Sequence, residues 1–135
     1  MLSCAEFCDK FNIRLDEQQA QAVQSTDRAV LLLAVPGSGK TTTLITRVAY
    51  LIYCTGVMPE SILTMTYTVA ASNEMRARFS AVFGEEYAGR LEFRTINGVC
   101  DSIIRRYARQ TGAQRFDLVS DNGAILAEVF RTVRG

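Results

Sequence analysis

A chain of 135 residues is long enough for one domain with a buried core. Its 48% hydrophobic and 21% charged residues place it with soluble globular proteins. The net charge of +1 excludes a polycation that binds nucleic acid through bulk charge alone.

No apolar run reaches the roughly 18 residues of a membrane span. The start, Met1-Leu2-Ser3-Cys4-Ala5-Glu6, lacks the basic region and apolar stretch of a signal peptide. The expectation is therefore a cytoplasmic protein with no membrane partner. In that compartment Cys4, Cys8, Cys54 and Cys100 read as buried or free thiols. Cys4 and Cys8 lie four apart on an expected helix, but the chain has no His, so the spacing argues against a metal centre. Charge is uneven: residues 1–89 carry 7 Lys/Arg against 9 Asp/Glu, and residues 90–135 carry 8 against 5. The C-terminal surplus suits either an anionic partner or an ordinary solvated helix face.

Taken in order, residues 3–11 read as a short helix with Phe7 and Phe11 as its apolar contacts. Leu15 to Val23 reads as a second helix, with Asp16 as N-cap and Gln19 at the third helical position of a capping box. Leu15, Ala22 and Val23 are its core candidates. The amide of Gln19 offers a donor and an acceptor together, the pair that matches an adenine edge, although taken alone a surface or capping role suits it better. Residues 29–33, Ala-Val-Leu-Leu-Leu, then read as a buried strand.

The next stretch, Ala34-Val35-Pro36-Gly37-Ser38-Gly39-Lys40-Thr41, has the Gly-rich sequence and the strand-to-helix setting of a phosphate-binding P-loop. Gly37 and Gly39 admit a tight turn and a close backbone approach to an anion. Successive N–H groups face inward at the positive end of the helix that follows. Lys40 is a compact charge for the β- and γ-phosphates, and the Thr41 hydroxyl is an oxygen ligand for Mg²⁺. Leu44, Ile45, Val48, Leu51 and Ile52 carry the helical period. Gly56 and Pro59 end that helix.

Residues 61–67 read as a second buried strand, and Thr68 opens a helix with Ala70, Ala71, Met75 and Phe79 at helical spacing. Residues 84–90 read as a loop, and residues 91–96 as a third strand. Residues 97–110 form an amphipathic helix, with Val99, Ile103, Ile104 and Tyr107 inside and Arg105, Arg106 and Arg109 outside. Gly112 ends it, residues 113–120 connect, and Asp121 caps a last helix to about Val133. Alternating strands and helices imply an α/β fold, a parallel sheet between helices, with ligands at the C-terminal strand ends.

Four ordered segments resemble one family, the superfamily 1 DNA helicases of the UvrD/Rep/PcrA and AddA/RecB group. Leu15 to Val23 resembles the Q motif, with Gln19 in the adenine-reading position. Ala34 to Thr41 resembles motif I. Thr66-Tyr67-Thr68-Val69-Ala70-Ala71-Ser72-Asn73-Glu74-Met75 resembles motif Ia, and Thr95-Ile96-Asn97-Gly98-Val99-Cys100 resembles motif Ib. The resemblance covers about residues 12–110. It implies a P-loop NTPase (RecA-like) fold, with residues 1–112 a partial first ATP-binding domain and residues 113–135 the start of a helical insertion like subdomain 1B.

The resemblance also implies ATP and Mg²⁺ as cofactors. Gln19, Pro36, Gly37, Ser38, Gly39, Lys40, Thr41 and Thr42 would hold the nucleotide, with Lys40 and Thr41 catalytic. Single-stranded DNA would lie against Thr66, Tyr67, Thr68, Thr95 and Asn97, where hydroxyls meet phosphates and the Tyr67 ring either stacks a base or packs in the core. Val69, Asn97 and Gly98 depart from the family's Asn, His and Ser, and Thr42 stands where some members have an Arg that packs on adenine. No apolar strand here ends in the Asp-Glu of motif II. The resemblance thus implies the N-terminal part of a longer 3′–5′ helicase of repair or recombination, partnered by its remaining domains. A small P-loop kinase and a non-catalytic nucleotide-binding module are the other classes compatible with the loop alone.

Overall fold

The computed structural model describes residues 1–33, 35, 37–114 and 122–134. They form two compact units, Met1–Val99 and Cys100–Gly135.

In the first unit, α1 (Cys4–Phe11) opens with a capping box. Ser3 Oγ accepts from the Glu6 N–H at 3.3 Å, and Glu6 Oε2 accepts from the Ser3 N–H at 2.8 Å. These bonds hold the Glu6 carboxyl below its ordinary pKa. Asn12 closes the helix in the left-handed conformation, φ 50°. Helix α2 (Glu17–Gln24) begins at Asp16, whose carboxylate accepts from the Gln19 N–H at 2.8 Å while Gln19 Oε1 accepts from the Asp16 N–H at 3.1 Å. That is the capping box expected from the sequence. Val23 is buried, while Leu15 and Ala22 are half-buried.

Residues 29–33 do not form the expected strand. A strand exists through its ladder, and among the described residues the only strand pairing is between two later segments. Leu31 and Leu33 are accordingly 81% and 82% exposed instead of buried.

Helix α3 (Lys40–Tyr53) follows and buries Thr43, Ile45, Thr46, Val48, Ala49 and Ile52. Leu44, expected on that face, is exposed, and the two threonines replace it. Gly56, at φ 74°, turns the chain after α3, and Pro59–Ser61 form one 3-10 turn. Strand β1 (Leu63–Thr66) is shorter than expected and not buried throughout: only Thr64 is enclosed, and Leu63 and Met65 face outward. Thr68 caps α4 (Val69–Phe83) as expected. Residues 84–90 are not wholly a loop, since Glu85–Ala88 make the single turn of α5. Strand β2 (Glu92–Thr95) pairs in parallel with β1, Thr64 opposite Phe93 and Thr66 opposite Thr95. Ile96, expected in this strand, starts α6 (Ile96–Thr111) instead. The first unit is therefore helix-rich with a two-stranded parallel sheet, consistent with the α/β class.

The core gathers Phe7, Ile45, Val48, Ala49, Ile52, Met75, Phe79, Phe83, Ala88, Leu91 and Phe93. Its centre is aromatic. Phe7 stacks on Phe83 with centroids 5.9 Å apart, and Phe79 meets Phe83 at 5.0 Å and Phe93 at 6.1 Å. Arg76 lies over the Phe93 ring at 5.3 Å and donates to the Ala88 carbonyl at 2.8 Å, fixing α4 to α5 and β2. At the surface Arg90 grips both oxygens of Glu60, at 2.6 and 3.2 Å, and lowers the Glu60 pKa.

In the second unit α6 ends at Gly112, φ 70°. Ile103 and Tyr107, expected inside, are each 62% exposed, and Ile104 is exposed as well. The amphipathic period was correctly read, but nothing among the described residues encloses that face. Helix α7 (Asn122–Arg134) is the expected last helix. Its expected cap, Asp121, and most of the connection at 113–120 lie outside the described residues.

Phe79 is fully buried between two aromatic neighbours. Phe79→Ala is expected to lower unfolding free energy by about 3–5 kcal/mol, read as a reduced midpoint in urea denaturation.

Candidate functional site

The Gly-rich loop is built around two glycines in the left-handed region. Gly37 and Gly39 both have φ 81°, a conformation in which a Cβ is strained. A Cβ on Gly37 would meet nothing, whereas one on Gly39 would come 3.4 Å from Gln19 Nε2. Gly39 is the N-cap of α3 and offers no side-chain acceptor to the first turn. The N–H groups there are therefore directed at the loop with the positive end of the helix behind them, which favours an anion.

The loop is also tied internally. Val35 O accepts from Ser38 N–H at 3.2 Å, from Ser38 Oγ at 2.7 Å and from Lys40 Nζ at 2.8 Å. Thr43 Oγ1 donates back to Gly39 O at 3.1 Å. Pro36 lies outside the described residues.

Two cavities flank the loop. One of about 250 Å³ is lined by Gln19, Leu32, Leu33, Ser38 and Lys40, among others. The second, of about 380 Å³, is lined by Gly37, Gly39, Lys40, Thr41, Thr42 and Arg78. Lys40 borders both. Gln19 Nε2 donates to Ser38 O at 3.5 Å, which brings the α2 residue onto the loop from 19 positions away.

Arg78 was not singled out by sequence reasoning. It lies on α4 and pairs with Glu74 at 2.6 Å, and only the approach of α4 to the loop puts it beside Thr42. Its signal in the sequence is no more than an Arg four residues after an acid on a helix.

The expected metal ligand, Thr41, is half-buried beside the second cavity. Among the described residues no group of three or more His, Cys, Asp or Glu could hold a metal ion. One neutral hydroxyl does not hold Mg²⁺ alone. It fits an ion whose other ligands are phosphate oxygens and water, the usual company of Mg²⁺.

The residues expected to touch DNA lie at the C-terminal ends of β1 and β2. Tyr67 is 90% exposed, which removes the core-packing alternative. Asn97 is exposed too. The three hydroxyls have structural partners. Thr68 Oγ1 accepts from the Ala71 N–H at 3.1 Å as the cap of α4. Thr66 Oγ1 donates to Thr68 O at 2.9 Å and shares a hydrogen bond with Ser72 Oγ at 2.5 Å. Thr95 Oγ1 accepts from the Gly98 N–H at 3.0 Å, and a Cβ on Gly98 would stand 3.1 Å from that oxygen. A groove of about 210 Å³ lies between these ends, lined by Val69, Asn73, Arg94, Thr95 and Gly98 among others.

All four free cysteines lack an obvious role here. Burial raises the thiol pKa of Cys8 and Cys54, and Cys100 is exposed. No helix among the described residues is long and apolar enough to cross a membrane.

Comparison with known proteins gives this arrangement its class. The chain belongs to the UvrD/REP helicase N-terminal domain family, which matches residues 15–133. Among its relatives is the ATP-dependent DNA helicase PcrA of Staphylococcus epidermidis, 35% identical over 121 residues. That alignment covers 87% of this chain and 16% of the relative. PcrA of Leuconostoc citreum is 34% identical over 110 residues, covering 82% of the chain and 15% of the relative. The ATP-dependent DNA helicase srs2 of Schizosaccharomyces pombe is 34% identical over 107 residues, covering 79% and 12%. The chain thus spans about a sixth of the length of the PcrA relatives.

Because the Thr68 and Thr95 hydroxyls satisfy helix-start N–H groups, Thr68→Ala and Thr95→Ala are each expected to cost about 1 kcal/mol in urea unfolding. Unchanged stability in both would show that the hydroxyls are available to a ligand instead.

Proposed function

We propose that this chain is the ATP-binding portion of the first motor domain of an ATP-dependent DNA helicase, with a P-loop NTPase (RecA-like) fold. The observation that carries this reading is the loop itself: two glycines at φ 81°, an α3 N-terminus without a side-chain cap, and Lys40 between two cavities. Residues 1–112 form the nucleotide-binding part and residues 113–135 begin a helical insertion. The whole protein works in the cytoplasm on single-stranded DNA, moving 3′ to 5′ in repair or recombination, and its remaining domains complete the motor.

In this reading the backbone N–H groups from Gly37 to Thr41 cradle the phosphates, and the positive end of α3 lowers the energy of their charge. The Lys40 ammonium leaves the Val35 carbonyl for the β- and γ-phosphates. Thr41 contributes one oxygen to Mg²⁺, which supplies charge neutralisation when bound with the nucleotide. Gln19 reads the adenine edge from the first cavity, where Leu32 and Leu33 offer apolar contact. Tyr67, exposed at the end of β1, offers its ring to a DNA base, and Arg94 in the neighbouring groove offers charge to a phosphate.

Mg-ATP or Mg-ADP is expected to bind with Kd of roughly 10 μM to 1 mM, or about 4–7 kcal/mol. Lys40→Ala should abolish the heat of binding in calorimetry; equal binding by both proteins would refute the assignment. Single-stranded DNA should bind weakly, since the threonine hydroxyls are committed to caps. Anisotropy titrations at about 50 and 200 mM salt should show a clear loss of affinity at the higher value. Tyr67→Ala should weaken binding by about 1–3 kcal/mol if the ring stacks on a base.

A further inference from the structure

We propose that Arg47, on α3, is a positioning residue for base recognition, pinning α2 so that Gln19 stays at the Gly-rich loop. The inference rests on the adenine-nucleotide reading above and concerns how this chain achieves it.

The geometry is specific. Arg47 Nη1 donates to three carbonyls at the C-terminal end of α2: Ala22 at 2.6 Å, Val23 at 3.2 Å and Ser25 at 3.1 Å. Among the described residues Arg47 makes no ion pair with a carboxylate. Its charge is therefore directed at the negative end of α2. Helix α2 needs that support. It has eight residues, no basic residue in its last turn, and one buried side chain, Val23. A helix this short is marginal without tertiary anchoring.

Gln19 stands four positions before Val23, about one helical turn or 6 Å from the pinned end. Its Nε2 reaches Ser38 O at 3.5 Å, the outer limit of a hydrogen bond, beside Gly39. Any rolling or fraying of α2 would break this reach first. The loop, by contrast, is anchored through α3 and its own Val35 bonds, so it keeps its phosphate contacts. Arg47 thus acts on the base end of the site and not on the phosphate end. Adenine offers an acceptor and a donor to the Gln amide, whereas guanine offers two acceptors, so loss of Gln19 placement erases the distinction between them.

The test compares Mg-ATP, Mg-GTP and inorganic tripolyphosphate in calorimetric titrations of this chain, with thermal melts of every variant. Arg47→Met is expected to weaken ATP binding about tenfold and bring the ATP-to-GTP ratio close to one. Tripolyphosphate binding should stay within about twofold of wild type. Gln19→Ala should give the same pattern, and adding it to Arg47→Met should change little further. A purely structural staple would lower the melting temperature and weaken all three ligands together. That outcome, or an unchanged ATP-to-GTP ratio, overturns the proposal. Should Arg47→Met fail to fold, Arg47→Lys keeps the charge on a single donor nitrogen, and an intermediate ratio supports the proposal while an unchanged one overturns it. Lys40→Ala separates the two layers. If Lys40→Ala abolishes all binding while Arg47 variants keep the base preference, only the positioning role falls. If wild type shows no preference for ATP, the nucleotide reading falls and the positioning role with it.

Discussion

The burial of one face of α3 is the constraint on which the rest depends. Ile45, Val48, Ala49 and Ile52 are locked among Phe7, Phe79 and Phe83, and burying each large side chain is worth about 1.5–3 kcal/mol. The same helix begins at Lys40, directly after Gly39. A helix held this firmly by its C-terminal half presents its N-terminus in a fixed direction. The loop then has only to satisfy two unusual glycine conformations, and the helix supplies the anchor. Thr43 and Thr46 are buried in α3 as well, and α2 lies against this helix.

Much of the loop was legible because its determinants are local. The Gly-Ser-Gly-Lys-Thr run announces its own turn and helix start, and the Asp16–Gln19 capping box is a three-residue relation that survives in the structure. The start of α4 follows for the same reason, from Thr68 as its cap. What failed was whatever required a neighbour. Residues 29–33 have the composition of a buried strand but no ladder partner among the described residues. The period of α6 identified a face and could not say what covers it. The one-turn α5 sits between Gly84 and Gly89, residues that read as loop punctuation.

The site shows the same division. Lys40 and Thr41 were visible in the sequence, yet Arg47 and Arg78 were not, because each acquires its setting from a helix packed against its own. The hydroxyls of Thr66, Thr68 and Thr95 illustrate the converse. Their residue type suits a phosphate contact, but backbone N–H groups and a neighbouring serine engage them first. A side chain with two plausible partners goes to the nearer, and sequence spacing alone does not rank them.

The parallel pairing of β1 with β2 requires a crossover. Leu63 is matched to Glu92, so the paired positions lie 29 apart in the chain. The α2–α3 contacts around the Gly-rich loop span 19 to 25 residues, but Phe79 and Phe83, which pack with α3, lie on α4 inside that crossover. During synthesis α3 is therefore not held until α4 has emerged, so the Gly-rich loop gains its anchor from the same segment that joins β1 to β2.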